Sequence, residues 1–128
     1  MEVPVISVID DDASVRTAAD NFLNSLGYAV HTFASAEDFL QSARLDDSSC
    51  VVADVQMPGM NGLDLLKIIR SRGNDTPFIF ITAFPDDSVR TRAAKAGADA
   101  LLEKPFSPSV LVDCIKTALA RDRRGAGP

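Results

Sequence analysis

Five short, β-rich apolar runs recur along the chain, spaced to leave one helix between each pair: "VPVISVI", "YAVHTF", "CVVAD", "PFIFIT" and "ALLEK". The first, third and fourth are almost continuously apolar, as parallel strands covered on both faces are. The segments between them carry helical periodicity with legible ends. Val15, Ala18, Ala19, Phe22, Leu23 and Leu26 follow a helical period that Gly27 stops. Asp12 is placed to cap that helix, and Ser35 caps "SAEDFL" with Asp38 in the capping-box position. "NGLDLLKIIRSRG" begins near Asn61 and stops at Gly73, and "PDDSVRTRAAKAG" runs from acidic Asp86 and Asp87 to Gly97. In "SPSVLVDCIKTAL", Ser107 is the N-cap and Pro108 the first helical residue, where its missing N–H costs nothing. Leu111, Cys114, Ile115, Ala118 and Leu119 form the expected buried stripe. A fivefold strand–helix alternation of this kind predicts an α/β fold, a doubly wound parallel sheet between helices.

Such sheets bind ligands beyond the carboxyl ends of their strands. Asp10 and Asp11 end the first run, Asp54 the third, Thr82 the fourth and Lys104 the fifth, so all should converge on one crevice. Asp10, Asp11 and Asp12 are consecutive. At about 4 Å and an effective dielectric near 20, each pair of such charges repels by roughly 4 kcal/mol. Either these side chains point apart into water or something positive sits between them. Singly, each residue has an ordinary explanation: a solvated acidic loop, a surface lysine beside Pro105, a strand threonine. Their placement at successive strand ends argues for a site.

The 128 residues suit one domain with a single substantial core. The tail "RDRRGAGP" reads as a linker stub, giving a domain over 1–120 and a stub over 121–128. A net charge of −5 argues against a nucleic-acid surface. No apolar run approaches the roughly 20 residues of a membrane span and no signal peptide precedes the first strand, so a cytoplasmic location is the expectation. Cys50 and Cys114 lack metal-ligand spacing and read as buried thiols. The single histidine, His31, reads as a surface strand residue, with no nucleophile turn to make a triad.

In "VIDDDASVR", "ADVQMPGMNGLDLL", "FITAF" and "LLEKPF", in that order and spacing, the chain resembles the receiver domain of bacterial two-component response regulators, over residues 3 to 120. In feel it is nearest to receivers joined to helix-turn-helix transcription factors. The resemblance implies a five-stranded (βα)5 flavodoxin-like sheet in the order 2-1-3-4-5. It also implies Asp54 as phosphoacceptor, served by a sensor histidine kinase. Asp11, Asp54 and the backbone carbonyl of Gln56 would ligate Mg²⁺, with Asp10 orienting a metal-bound water. Lys104 would pair with a phosphoryl oxygen, and Thr82 would donate its hydroxyl to another. A homodimer through the face of the fourth helix, fifth strand and fifth helix, and a DNA-binding effector beyond the chain, belong to the same expectation. The chemistry agrees independently: a carboxylate can accept a phosphoryl group as an acyl phosphate, and a hard divalent cation relieves crowded carboxylates.

Alternative readings are a phosphohydrolase of the haloacid dehalogenase type and a degenerate receiver that only binds proteins. In the hydrolase, Asp10 would be the nucleophile and Asp12 its general acid. A nucleotide-binding flavodoxin-like protein lacks its glycine-rich phosphate loop here. One position departs from the resembled pattern: three residues before the site lysine, where receivers usually carry Tyr or Phe, stands Leu101. Leucine has no ring to swing, so coupling is expected to run through Thr82 and the "AFPDD" loop. That loop carries Phe84 as a large apolar ring at the mouth of the site, and Pro85 limits its freedom.

Overall fold

The computed structural model describes residues 3–42 and 44–121. Five strands alternate with five helices: β1 (Val5–Ile9), α1 (Ala13–Ser25), β2 (Ala29–Phe33), α2 (Ala36–Gln41), β3 (Cys50–Asp54), α3 (Gly62–Ser71), β4 (Phe78–Thr82), α4 (Asp87–Ala96), β5 (Ala100–Glu103) and α5 (Pro108–Ala120). All pairings are parallel and the strand order is β2-β1-β3-β4-β5. The winding therefore reverses between β1 and β3, which is where a crevice opens at the strands' carboxyl ends.

The two faces of the sheet bury separate clusters, and strand alternation sorts them. Val51 and Ala53 of β3, with Phe78 and Phe80 of β4, pack under α2, α3 and α4 against Phe39, Leu66, Ile69 and Val89. Cys50 and Val52, with Ile79 and Ile81, pack on the other face against Leu23 of α1 and Leu111, Val112 and Ile115 of α5. Every residue of β3 and β4 is buried, as their unbroken apolar runs anticipate. All five helices are capped by a side chain that accepts a backbone N–H from the first turn: Asp12, Ser35 and Ser107 as expected, and also Asn61 and Asp86, the latter expected within the first turn rather than as its cap.

Some expectations shift. Leu26 is exposed because α1 stops at Ser25 and Leu26 turns out as its C-cap; Ala18 of the same periodic series is also exposed. In α5, Val112 is buried, while Cys114 and Leu119 are only half-buried at the margin of the stripe. Cys50 is fully buried as expected, whereas Cys114 is only half-buried. His31 is half-buried in the edge strand β2 rather than exposed. Of the anticipated stub, only Arg121 is among the described residues, as the C-cap of α5; residues 122–128 lie outside them. No described helix is long and apolar enough to cross a membrane.

Gly62, the first residue of α3, lies against the end of β3. A Cβ there would overlap the Asp54 carbonyl oxygen and stand 2.9 Å from Phe80 Cε1, so helix and strand approach as only glycine allows. The Gly62 N–H also donates to Val55 O at 3.0 Å. Gly62→Ala is therefore expected to push α3 off the β3 end at a cost of about 1–3 kcal/mol, although alanine favours helices. Denaturant unfolding of the variant checks this; undiminished stability would show that the contact relaxes freely.

Candidate functional site

Strand alternation explains which side chains meet. Asp10, Asp54 and Lys104 stand one alternation beyond Val8, Val52 and Leu102, on the sheet face that packs against α1 and α5. Three strands thus deliver two carboxylates and an ammonium to one place. Lys104 Nζ lies 2.9 Å from Asp10 Oδ2 and 2.8 Å from Asp54 Oδ2, donating to both. Lys104 follows the last residue of β5, and its own N–H donates to Thr82 O at 2.7 Å, carrying the β5 ladder past the strand's end. The next peptide, Lys104–Pro105, is cis.

The three consecutive aspartates separate by geometry. Asp10 is fully buried; its Oδ1 accepts the Asp12 N–H at 2.9 Å. Asp12 turns out to cap α1, its Oδ1 accepting the N–H and hydroxyl of Ser14 at 2.9 and 2.7 Å. The Ser14 hydroxyl and N–H hold the Asp12 carboxyl below its ordinary range. Asp12 thus serves as an exposed helix cap, and the general-acid role of a D-x-D hydrolase would compete with its hold on Ser14. Asp11 is exposed, yet an oxygen of its carboxylate lies within 4.8 Å of oxygens from Asp10 and Asp54. Three hard oxygen donors so grouped fit a divalent cation of the Mg²⁺ kind.

Burial pushes the Asp10 carboxyl above its ordinary range, more than the hydrogen bonds from Lys104 and Asp12 lower it. For Lys104, burial alone would push the ammonium down, but Asp54 and Asp10 together hold it above its ordinary value. The positive charge needed between the acids is thus Lys104, a residue far away in the chain.

The second Asp54 oxygen, Oδ1, accepts the Gln56 N–H at 3.0 Å, which fixes the carboxylate plane and seats Gln56 beside it. Thr82 is fully buried and belongs to the alternation of Phe78 and Phe80, on the opposite face from Ile79 and Ile81. Its Oγ1 accepts the Phe84 N–H at 3.1 Å, which leaves the hydroxyl proton for a further acceptor. Phe84 is 66% exposed, a ring standing in water rather than closing over core. Leu101 is half-buried, paired in register with Phe80 and packed on the α2–α4 side of the sheet. Two contributors have no motif to announce them. Arg16 Nη1 donates to Asp10 O at 2.6 Å, bracing the β1–α1 turn, and Glu37 reaches the β3–α3 loop. A positively charged residue one turn into α1 was the available signal for Arg16; for Glu37 there was none.

Comparison with known proteins bears on this arrangement. Residues 6–116 match the family described as response regulator receiver domain. The chain is 39% identical over 120 residues to Nodulation protein W of Bradyrhizobium diazoefficiens, covering 94% of this chain and 53% of that protein. It is 39% identical over 116 residues to Transcriptional regulatory protein FixJ of Azorhizobium caulinodans, covering 91% and 55%. The crystal structure of FixJ-N superposes with a TM-score of 0.84 at 33% identity, over 95% of this chain and 98% of that one. The chain spans about half the length of these curated relatives.

Proposed function

The chain belongs to the response regulator receiver family, the phosphoacceptor switch of two-component signalling, and we propose that Asp54 is its phosphoacceptor. The observation that carries this is the Lys104 ammonium, 2.8 Å from Asp54 Oδ2, beside the Asp10 and Asp11 carboxylates. An Asp54 oxygen attacks the phosphorus of a phosphohistidine on a partner kinase. The P–N bond breaks, its electron pair returns to the imidazole, and an acyl phosphate forms. Later attack of water on phosphorus regenerates the carboxylate and releases phosphate. Such transfer depends on positioning and charge neutralisation more than on covalent work by the protein. Bound Mg²⁺ would supply that neutralisation, held by Asp11, Asp54 and the Gln56 carbonyl, with Asp10 acting through a water. Lys104, already at Asp54 Oδ2, is positioned to follow the charge onto a phosphoryl oxygen. The chain is regulatory, and its chemistry is confined to its own modification. A domain over 1–120, a cytoplasmic setting, a C-terminal DNA-binding effector and pairing through the α4–β5–α5 face complete the reading; the transcriptional regulators among its relatives support the effector.

Switching runs through Thr82. When its hydroxyl turns to a phosphoryl oxygen, the bond from Phe84 N–H is lost and the loop leading to Asp86, the cap of α4, is released. Leu101 has no ring to exchange between positions and serves packing.

Two experiments check these roles. With Mg²⁺ and a small phosphodonor, the chain should gain the mass of one phosphoryl group at Asp54, and Asp54→Asn should gain none. Asp11→Asn should bind Mg²⁺ and take phosphate more weakly. Label at Asp10 instead would favour the hydrolase, and no label at all would favour a module that only binds proteins. Second, amide exchange at α4 should change on phosphorylation in the wild type and lose most of that change in Thr82→Ala. Leu101→Ala should keep the response at a stability cost of about 2 kcal/mol, the low end for a half-buried leucine. A full response without the Thr82 hydroxyl contradicts the switch.

A further inference from the structure

The loop after Asp54 is fastened at its base and its middle: Gly62 N–H donates to Val55 O at 3.0 Å, and Met57 is buried in the core cluster on the α2–α4 face of the sheet. Its tip is held from a different element. Glu37, in the first turn of α2, accepts the Met60 N–H on Oε2 at 3.1 Å, across 23 residues of sequence. Gly59 has φ +77°, and the Glu37 carboxylate lies over it: a Cβ built there would stand 2.5 Å from the same oxygen. The helix bearing Glu37 is itself fixed, because Ala36 and Phe39 on either side are fully buried.

We propose that Glu37 is a positioning residue for the cation site: by holding the Met60 amide it fixes the loop in which Gln56 presents its carbonyl beside Asp54. The inference rests on the Asp54 and Mg²⁺ reading above. Glu37 is outside the group of carboxylates that could hold a cation, so it acts through the loop. A carboxylate accepting a backbone N–H makes a charge-assisted bond, and partners that orient metal ligands affect affinity without touching the ion.

Calorimetric Mg²⁺ titration of the unphosphorylated wild type, Glu37→Ala and Glu37→Gln, with amide exchange at Met60 and Gln56 in the metal-free proteins, tests it. Glu37→Ala should weaken Mg²⁺ binding by about tenfold and speed exchange at both amides. Glu37→Gln, whose amide oxygen still accepts the bond, should lose no more than about threefold. Wild-type affinity and wild-type exchange in Glu37→Ala would overturn the proposal alone. Equal loss in Glu37→Gln and Glu37→Ala would also overturn it, by showing that the distant charge, not the bond, is what matters. Failure of the wild type itself to bind Mg²⁺ would overturn the metal reading and this inference with it.

Discussion

The Lys104 ammonium between the Asp10 and Asp54 carboxylates is the interaction on which the rest of this molecule turns. Folding a parallel sheet brings those two acids to adjacent strand ends, out of water. At about 4 Å and an effective dielectric near 20 their repulsion is roughly 4 kcal/mol. One cation donating to both converts that repulsion into an ion triad. The Lys104 side chain keeps 21% of its surface exposed while Asp10 has none, so the lysine is the member able to change partners. Under the proposed function, this resting ion pair is the one that would be traded for a phosphoryl oxygen.

The fold supplies the geometry of that triad through two simple devices. Period-two alternation sends Asp10, Asp54 and Lys104 to one face of the sheet and Thr82 to the other. The proposed phosphoacceptor and the hydroxyl proposed to answer it therefore leave the sheet on opposite sides. Close backbone packing does the rest. Gly62 lets α3 seat on the carbonyl of Asp54, and the loop between them is fastened at Val55, Met57 and Met60. These contacts tie down the acidic side of the site, whereas the loop after Thr82 is more exposed.

What was legible in the sequence was local or periodic. Strand runs, cap residues and the strand-end acids depend on neighbours within a few positions, and the caps expected at Asp12, Ser35 and Ser107 stand there, while Asn61 and Asp86, expected only as helix starts, also cap. Strand order came from resemblance, since alternation alone is silent on which strand lies at the edge. The remaining features depend on tertiary approach. The exposure of Leu26 and burial of Val112 follow from where the helices stop and how they tilt onto the sheet, which a helical period does not specify. Lys104 pairing with Asp10 spans 94 residues, Glu37 with Met60 spans 23, and the crowding at Gly62 involves a glycine of ordinary backbone conformation. No local pattern encodes such contacts.

The central claim is that Lys104 stabilises the metal-free pocket by offsetting the carboxylate repulsion. A double-mutant cycle of Lys104→Met and Asp54→Asn, read by denaturant unfolding without divalent cations, tests it most directly. Lys104→Met keeps the stem and leaves two buried carboxylates facing one another, so it should be clearly destabilising alone and much less so when Asp54 is already neutral. A coupling on the order of 2 kcal/mol is expected for groups in direct contact. Additive effects, or a Lys104→Met chain as stable as the wild type, would contradict the account.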